Sequence, residues 1–407
     1  MTSFGLYDPA RDSGDAPRSV GAGLLLLMGS VAGLLVLGLT VFDLGMPIAA
    51  MSSLVAFIPA IFYLAIFLWL DRFDPEPPTT LLVAFIWGAT ISIFFSALVN
   101  DLFGYLLGEQ AAGLISAPFI EELSKGLGVL LVAILFRRDF DSVVDGIVYA
   151  GVVALGFAAM ENVEYYGRSF ADGGIDKLFS TFFVRGVMAP FSHVLFTGMT
   201  GIGIGIARES NKYLTKITAP MIGLCCAMFL HVFWNLLATL GGGTFLVGYF
   251  LVQIPLFLTF VALTFYLVMR EGRILRQTLA CEVERGLISH RQLEIAISVF
   301  QRTRWVARAL NNPSIFNARR KYLRSVAKLG LCHWHQQRAD EVKRISASLP
   351  LIAQLQAEVF SLRDQIKRKT DYETDEINET DEKFSEDHLT SAPGERTSKS
   401  RKERSTP

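Results

Sequence analysis

Four consecutive apolar stretches carry ionisable residues that a hydrocarbon surrounding would exclude. Residues 112–136 hold Glu121, Glu122 and Lys125, and residues 143–166 hold Asp145, Glu161 and Glu164. Residues 178–207 hold Arg185 and His193, and residues 218–239 hold His231 and Asn235. A charge at the centre of a bilayer costs at least about 2.5 kcal/mol, so each such group is a candidate for function. Acids and imidazoles together suggest proton transfer. Burial disfavours the ionised form of a carboxylate, which suits a general base near neutral pH. A neutral His or an Asn can donate to a developing oxyanion.

Helical spacing refines this set. Glu121 and Lys125 are separated by four residues and Glu122 and Lys125 by three, so the lysine can neutralise either carboxylate. Adjacent helical residues point about 100° apart, so Glu121 and Glu122 are expected to face different atoms. Phe157 shares a face with Glu161, and His231 with Asn235. Other features read more simply. Asp145 and Glu164 lie near stretch ends and suit helix-end roles. The Gly201–Gly205 run lies inside an apolar stretch, where close helix packing explains it better than a phosphate loop. The four cysteines show no zinc spacing, and Cys332-His333-Trp334-His335 reads as an ordinary surface cluster.

The elements that position these residues follow from composition. The sequence has 407 residues, 51% apolar and only 19% charged. Residues 1–269 contain 12 Lys/Arg and 19 Asp/Glu, whereas residues 270–407 contain 26 and 19, so a net charge of zero hides a −7 portion and a +7 portion. This excludes a secreted disulfide scaffold, a nucleic-acid-binding body and an ordinary soluble enzyme. Eight stretches are long enough to cross a bilayer as helices, which takes about 20 residues. They are 20–42, 46–70, 79–100, 112–136, 143–166, 178–207, 218–239 and 244–269. The expected fold is an all-α polytopic membrane bundle of about eight helices. It is preceded by a cytosolic segment over 1–19 and followed by a basic helical region over 270–369 and a disordered tail over 370–407. Lys and Arg in alternate loops number eleven against two, so both termini are expected in the cytosol. The first residues are mixed in charge and do not read as a cleavable signal peptide.

With that orientation, depths can be compared at 1.5 Å per residue. Glu121 lies roughly 13 Å from the outer surface, Glu161 roughly 8 Å, Arg185 roughly 10 Å and His231 roughly 12 Å. Asn235 lies roughly 6 Å deep and His193 roughly 22 Å, with Pro190 breaking the helix between Arg185 and His193. These groups can share one cavity in the outer half of the membrane.

The same residues resemble the PrsW family of intramembrane proteases, distant relatives of the CAAX prenyl endopeptidases. Glu121-Glu122-Leu-Ser-Lys125 matches EExxK, Phe157-Ala-Ala-Met-Glu161-Asn162 matches FxxxE followed by Asn, and His231-Val-Phe-Trp-Asn235 matches HxxxN, with His193 between them. Arg72-Phe-Asp-Pro75-Glu76-Pro77 and Asp141-Ser-Val-Val-Asp145-Gly146 also fit, so the likeness covers roughly 60–270. The resemblance implies hydrolysis of a peptide bond in a membrane-anchored protein, which in the family's best-known case is an anti-sigma factor. It also implies an active-site set of Glu121, Glu122, Glu161, His193 and His231, with Asn235, Lys125 and Arg185 in support. The family is filed with metalloproteases, and His193, His231 and Glu161 could hold a zinc with one open position. The CAAX relatives suggest a glutamate-activated water with no obligatory metal, which is the preferred reading. Glu121 is favoured as base by that analogy. The competing readings are a proton-coupled transporter and an inactive scaffold that binds transmembrane helices. The expected partners are a membrane-anchored substrate and the bilayer, without nucleic acid.

Overall fold

Backbone polar groups in lipid must be satisfied within their own segment, so long apolar runs become helices. The computed structural model describes residues 16–137, 139–341 and 349–369, and its regular elements there are all helical. The tail expected to be disordered, from 370 onward, lies outside the described residues, as do residues 1–15. Helices α1 (Ala16–Leu44), α2 (Met46–Leu70) and α3 (Pro78–Leu107, with a π-helical stretch Trp87–Ser92) come first. The π-helical Ala112–Ser116 leads into α4 (Ala117–Leu135), followed by α5 (Val143–Phe182), α6 (Ser192–Glu209), α7 (Tyr213–Leu240) and α8 (Ile254–Thr278).

Among the described residues, six helical segments are long and apolar enough to cross a membrane: Val20–Leu44, Met46–Leu70, Pro78–Leu107, Val143–Glu209, Tyr213–Leu240 and Gly242–Glu284. This is a polytopic helical membrane bundle. Two of the eight expected stretches are not counted separately, for physical reasons. Helix α4 carries Glu121, Glu122 and Lys125, which lower its hydropathy. The expected 143–166 and 178–207 stretches share the single segment Val143–Glu209, and their expected boundaries are shifted. Helix α5 runs beyond 166 to Gly173 and Gly174, which leave helical geometry, Gly174 at φ +66°. The chain doubles back there, and the Ser169 and Thr181 hydroxyls meet at 2.8 Å. Leu178, the expected start of the next stretch, therefore lies within the returning limb of α5, which ends at Phe182. The π-helical Phe183–Met188 follows, and a second break at Ala189–Phe191 precedes α6.

The centre of the bundle is the first half of α5. From Val143 to Phe157 every side chain is buried. Small residues let its neighbours approach this closely. A Cβ on Gly88 of α3 would strike the Val153 carbonyl, and one on Gly201 of α6 would strike the Gly146 carbonyl. Gly203 abuts Ala219 of α7, and Gly205 abuts Val143. The Gly201–Gly205 run is thus a packing seam. At the start of α5, Ser142 and Asp145 form a capping box: Asp145 N–H donates to Ser142 Oγ at 3.1 Å, and Ser142 N–H to Asp145 Oδ2 at 2.8 Å. Glu164 pairs with exposed Arg168 at 2.5 Å.

The Arg72–Pro77 loop is fastened to α5 by the Tyr149 hydroxyl, which donates to Glu76 Oε2 at 2.7 Å, while Glu76 N–H donates to Asp71 Oδ2 at 2.6 Å. Burial holds both the Asp71 and Glu76 carboxyls well above the usual carboxylate range. The Arg72 guanidinium lies 3.5 Å above the Trp69 ring, and burial lowers its pKa to about 10.

The described residues divide into two units, one comprising 16–274 with 334–350 and the other 275–333 with 351–369. The second contains α9 (Ala280–Glu284), α10 (His290–Ile297), α11 (Val299–Ala307) and most of α12 (Pro313–Glu341) and α13 (Leu349–Lys369). Buried within it, Glu282 faces His333 Nε2 at 2.8 Å and accepts from Gln356 at 2.7 Å. His333 thus serves the interior of that unit, whereas His335, in the first unit, lies 3.0 Å from Asp141.

Candidate active site

Each element that carries a site residue is held by its own local chemistry. Helix α4 continues directly from the π-helical Ala112–Ser116 at Ala117-Pro118. Trp87 Nε1 of α3 donates to the Ser124 carbonyl at 2.9 Å, and the Ser92 and Ser124 hydroxyls meet at 2.5 Å. These contacts set the rotation of α4 so that Glu121, Glu122 and Lys125 all turn inward. Arg185 sits in the π-helical Phe183–Met188, a geometry often found at functional sites.

The inward side chains form one connected network. Lys125 Nζ donates to Glu122 Oε1 at 2.6 Å and lies 3.8 Å from Glu121 Oε2. It also lies 3.2 Å from His193 Nδ1 and 4.2 Å from the centre of the Phe157 ring. His193 Nε2 meets Glu161 Oε2 at 2.9 Å, and Arg185 binds Glu161 at 2.5 Å and Asn162 at 2.6 Å. His231 Nδ1 meets Glu122 Oε1 at 3.0 Å, and its Nε2 lies 3.9 Å from Glu121 Oε2. Thr197 donates to Glu122 Oε2 at 2.9 Å. The hydrogen-bond pattern assigns the imidazole protons. Lys125 can only donate, so His193 Nδ1 accepts and its Nε2–H faces Glu161; His231 gives its Nδ1–H to Glu122, leaving Nε2 as an acceptor.

The two glutamates differ sharply. Glu122 is fully buried and accepts from Lys125, His231 and Thr197. Glu121 is nearly as buried, yet its Oε2 has no hydrogen-bond partner. Exposure rises from 0% at Lys125 to 12% at His193, 18% at Glu161 and 22% at Arg185, so the site opens on the Arg185 side.

Seven of the eight candidate residues converge, and Asn235 does not. Its amide donates at 2.8 Å to the Gly113 carbonyl, tying α7 to the π-helical stretch before α4. In this arrangement the Asn235 amide is taken by that carbonyl, and the donor that faces Glu121 is Lys125. The expectation that Glu121 and Glu122 face different atoms is also revised. Long side chains bring both within 4 Å of Lys125 Nζ and of His231. Thr197, Phe196 and Tyr165 are site residues that the sequence reading missed. Phe196 stacks on His231 with centroids 5.1 Å apart, and Tyr165 lies 3.8 Å from the Arg185 guanidinium. Thr197 lies four residues after His193, the one spacing that could have flagged it.

Residues 76–262 match the model of the family described as PrsW family intramembrane metalloprotease. Over this segment the chain is similar to the PrsW family. It is 30% identical over 156 residues to Protease PrsW of Geobacillus kaustophilus, covering 38% of this chain and 65% of that protein. It is 30% identical over 154 residues to Protease PrsW of Bacillus subtilis, covering 37% and 66%, and 33% identical over 152 residues to that of Clostridioides difficile, covering 35% and 60%. The chain thus spans just under two thirds of the length of these relatives. No solved structure matches it. The PrsW-matching segment contains every residue of the network, while Arg72 and all residues after 262 lie outside it.

The family description raises the question of a metal. One oxygen of Glu121 and one nitrogen each of His193 and His231 lie within 4.8 Å of one another, a carboxylate–imidazole set suited to zinc. The grouping differs from the expected one. Glu161 is engaged by Arg185 and His193, and Glu121 stands in its place. The donor chemistry fits, since Glu121 Oε2 has no hydrogen-bond partner and His231 Nε2 is an acceptor, although His193 would first have to be released by Lys125 or by Glu161.

Proposed function

We propose that this chain is an intramembrane endopeptidase that hydrolyses a peptide bond of a membrane-anchored protein, with Glu121 as general base. The observation that carries the reading is the buried, unpartnered Glu121 Oε2, 3.8 Å from Lys125 Nζ and 3.9 Å from His231 Nε2. A water beside it can donate to Glu121 Oε2 or to His231 Nε2. As the water oxygen bonds to the substrate carbonyl carbon, its proton passes to Glu121. The oxyanion formed is met by the Lys125 N–H that neither Glu122 nor His193 takes. Collapse of the adduct breaks the C–N bond, and Glu121 returns the proton to the leaving nitrogen. Glu122 remains ionised between Lys125 and His231 and orients both. Glu161 and Arg185 fix His193, which in turn steadies Lys125.

Glu121, His193 and His231 are the residues that would hold a zinc. Bound there, the ion would polarise the carbonyl and acidify a water, with Glu121 a ligand rather than the base. We further propose that both termini face the cytosol, so that the site lies in the outer half of the membrane.

The test is the purified chain in detergent with a library of fluorogenic membrane peptides, with and without a chelator. Cleavage that survives chelation and is lost in Glu121→Gln is the expected result. Cleavage removed by chelation and restored by zinc would move the chemistry to the zinc form. A folded protein that cleaves nothing but moves protons with a solute across vesicles would favour the transporter.

A further inference from the structure

At the opposite end of α4 from Glu121, the bundle forms a second polar pocket, separate from the catalytic network. It is bounded by the ends of α4 and α6, the start of α7, and His335 and Arg338 of α12. Four basic side chains line it: Arg137, Arg208, Lys216 and Arg338. All four are half-buried. Two carboxylates also line it, and both already have cationic or imidazole partners. Glu209 is bound in a fork by Arg270 at 2.8 and 3.0 Å, and Asp141 lies 3.0 Å from His335. The Arg208 guanidinium donates to the backbone carbonyls of Phe140 at 2.8 Å and Arg137 at 2.6 Å, and Arg338 to that of Glu209. Carbonyl acceptors hold these guanidiniums in place, with Asp141 acting electrostatically on Arg208. Among the lining side chains four cations stand against two carboxylates, in a partly dehydrated place.

The wall above the basic groups is apolar, made by Leu130, Ile134, Ile204 and Pro220. These residues belong to segments long enough to lie in the membrane, whereas the basic groups sit where those helices end. A ligand that fits must be anionic at one end and apolar at the other, and it must reach the pocket along the membrane surface.

We propose that this pocket is a binding site for the phosphate headgroup of an anionic phospholipid, whose acyl chain runs along Leu130 and Ile134. Basic pockets between membrane helices suit such headgroups, and each Lys or Arg near the surface strengthens binding about fivefold. The inference is independent of the protease reading, because it concerns charge and apolar surface at the other end of the bundle.

Native mass spectrometry of the full chain, released from micelles containing equal phosphatidylglycerol and phosphatidylcholine, tests it. Wild-type protein should retain phosphatidylglycerol preferentially, and Lys216→Gln combined with Arg338→Gln should weaken that preference roughly 25-fold at about fivefold per charge. Arg338 also caps a helix end, so Arg338→Lys serves as the folding control and should keep the preference. Arg168→Gln, which removes an exposed charge beside Glu164, should leave it intact. Equal retention of both lipids by wild type would overturn the proposal, as would an unchanged preference in the double variant. Loss of bound lipid to glycerol phosphate or inorganic phosphate at matched concentration would overturn it too, in favour of a site for free phosphate.

Discussion

Glu121 and Glu122 are adjacent and nearly isosteric in their glutamine forms, yet their substitutions should leave opposite signatures. Glu122→Gln removes the charge that accepts from Lys125 at 2.6 Å and from His231 at 3.0 Å. Lys125 is completely buried, so breaking its close pair should cost about 3–5 kcal/mol, the usual range when one partner of a buried ion pair is removed. The 3.8 Å contact to Glu121 offsets only part of this loss. Glu121→Gln removes no hydrogen bond at Oε2 and leaves the Lys125–Glu122 pair standing, so stability should change by less than about 1 kcal/mol. Its effect on chemistry should be large, roughly 10²–10⁴-fold for loss of a general base. The assay is thermal unfolding of each detergent-purified variant alongside its initial rate on a cleaved membrane peptide, normalised to folded protein. The reasoning requires an inactive, stable Glu121→Gln and an unstable Glu122→Gln. Wild-type turnover by Glu121→Gln would refute the assigned base, and wild-type melting of Glu122→Gln would refute the pairing that defines the site. Wild-type rates in both variants would remove both glutamates from the chemistry and with them the proposed mechanism.

Three further outcomes are expected. A reporter fused after Arg276 should be cytosolic, as the eleven-to-two charge asymmetry requires; an extracytoplasmic signal would reverse the orientation of the whole site. Burial raises the folded-state pKa of Asp71 and Glu76 above their ordinary values of 3.8 and 4.5, so their contribution to stability is complete below those values and is lost as pH rises through the higher folded ones. Melting temperature should therefore fall as pH rises above 4.5, and Glu76→Gln should flatten the profile; a steeper profile in that variant would contradict the sign. Gly201→Leu places a side chain against the Gly146 carbonyl and the Ala150 methyl, so the variant should melt well below wild type, and wild-type melting would show that the α5–α6 seam is looser than described.

Much of the fold could be read from the sequence because lipid leaves the backbone few choices. Continuous apolar runs become helices, and the stretches 20–42, 46–70 and 218–239 each fall within one helix. What could not be read was the path between Tyr166 and Phe191. Its residues are mixed in polarity, and the turn depends on Gly174 at positive φ and on the Ser169–Thr181 contact, twelve residues apart in sequence. A charge count that treats 167–177 as a loop finds the right reversal but not the extra turns of α5 on either side of it.

At the site, residue types were legible and their pairings were not. Spacing within one helix relates Glu121, Glu122 and Lys125, but it carries no information about which imidazole nitrogen meets which carboxylate. That is decided between helices, by Trp87 fixing the rotation of α4 and by Gly146 and Gly201 drawing α5 and α6 together. The consequence is chemical. Lys125 lies among Glu122, His193 and Glu121, where a cation would otherwise be needed to offset two buried carboxylates. Asn235 illustrates the converse. Sharing a helical face with His231 made it a plausible donor to the reacting carbonyl, yet one further turn along α7 carries it past the cavity to the Gly113 carbonyl. A face predicts direction around a helix but not reach along it, and at this site one turn separates a residue that touches Glu122 from one that secures the helix carrying it.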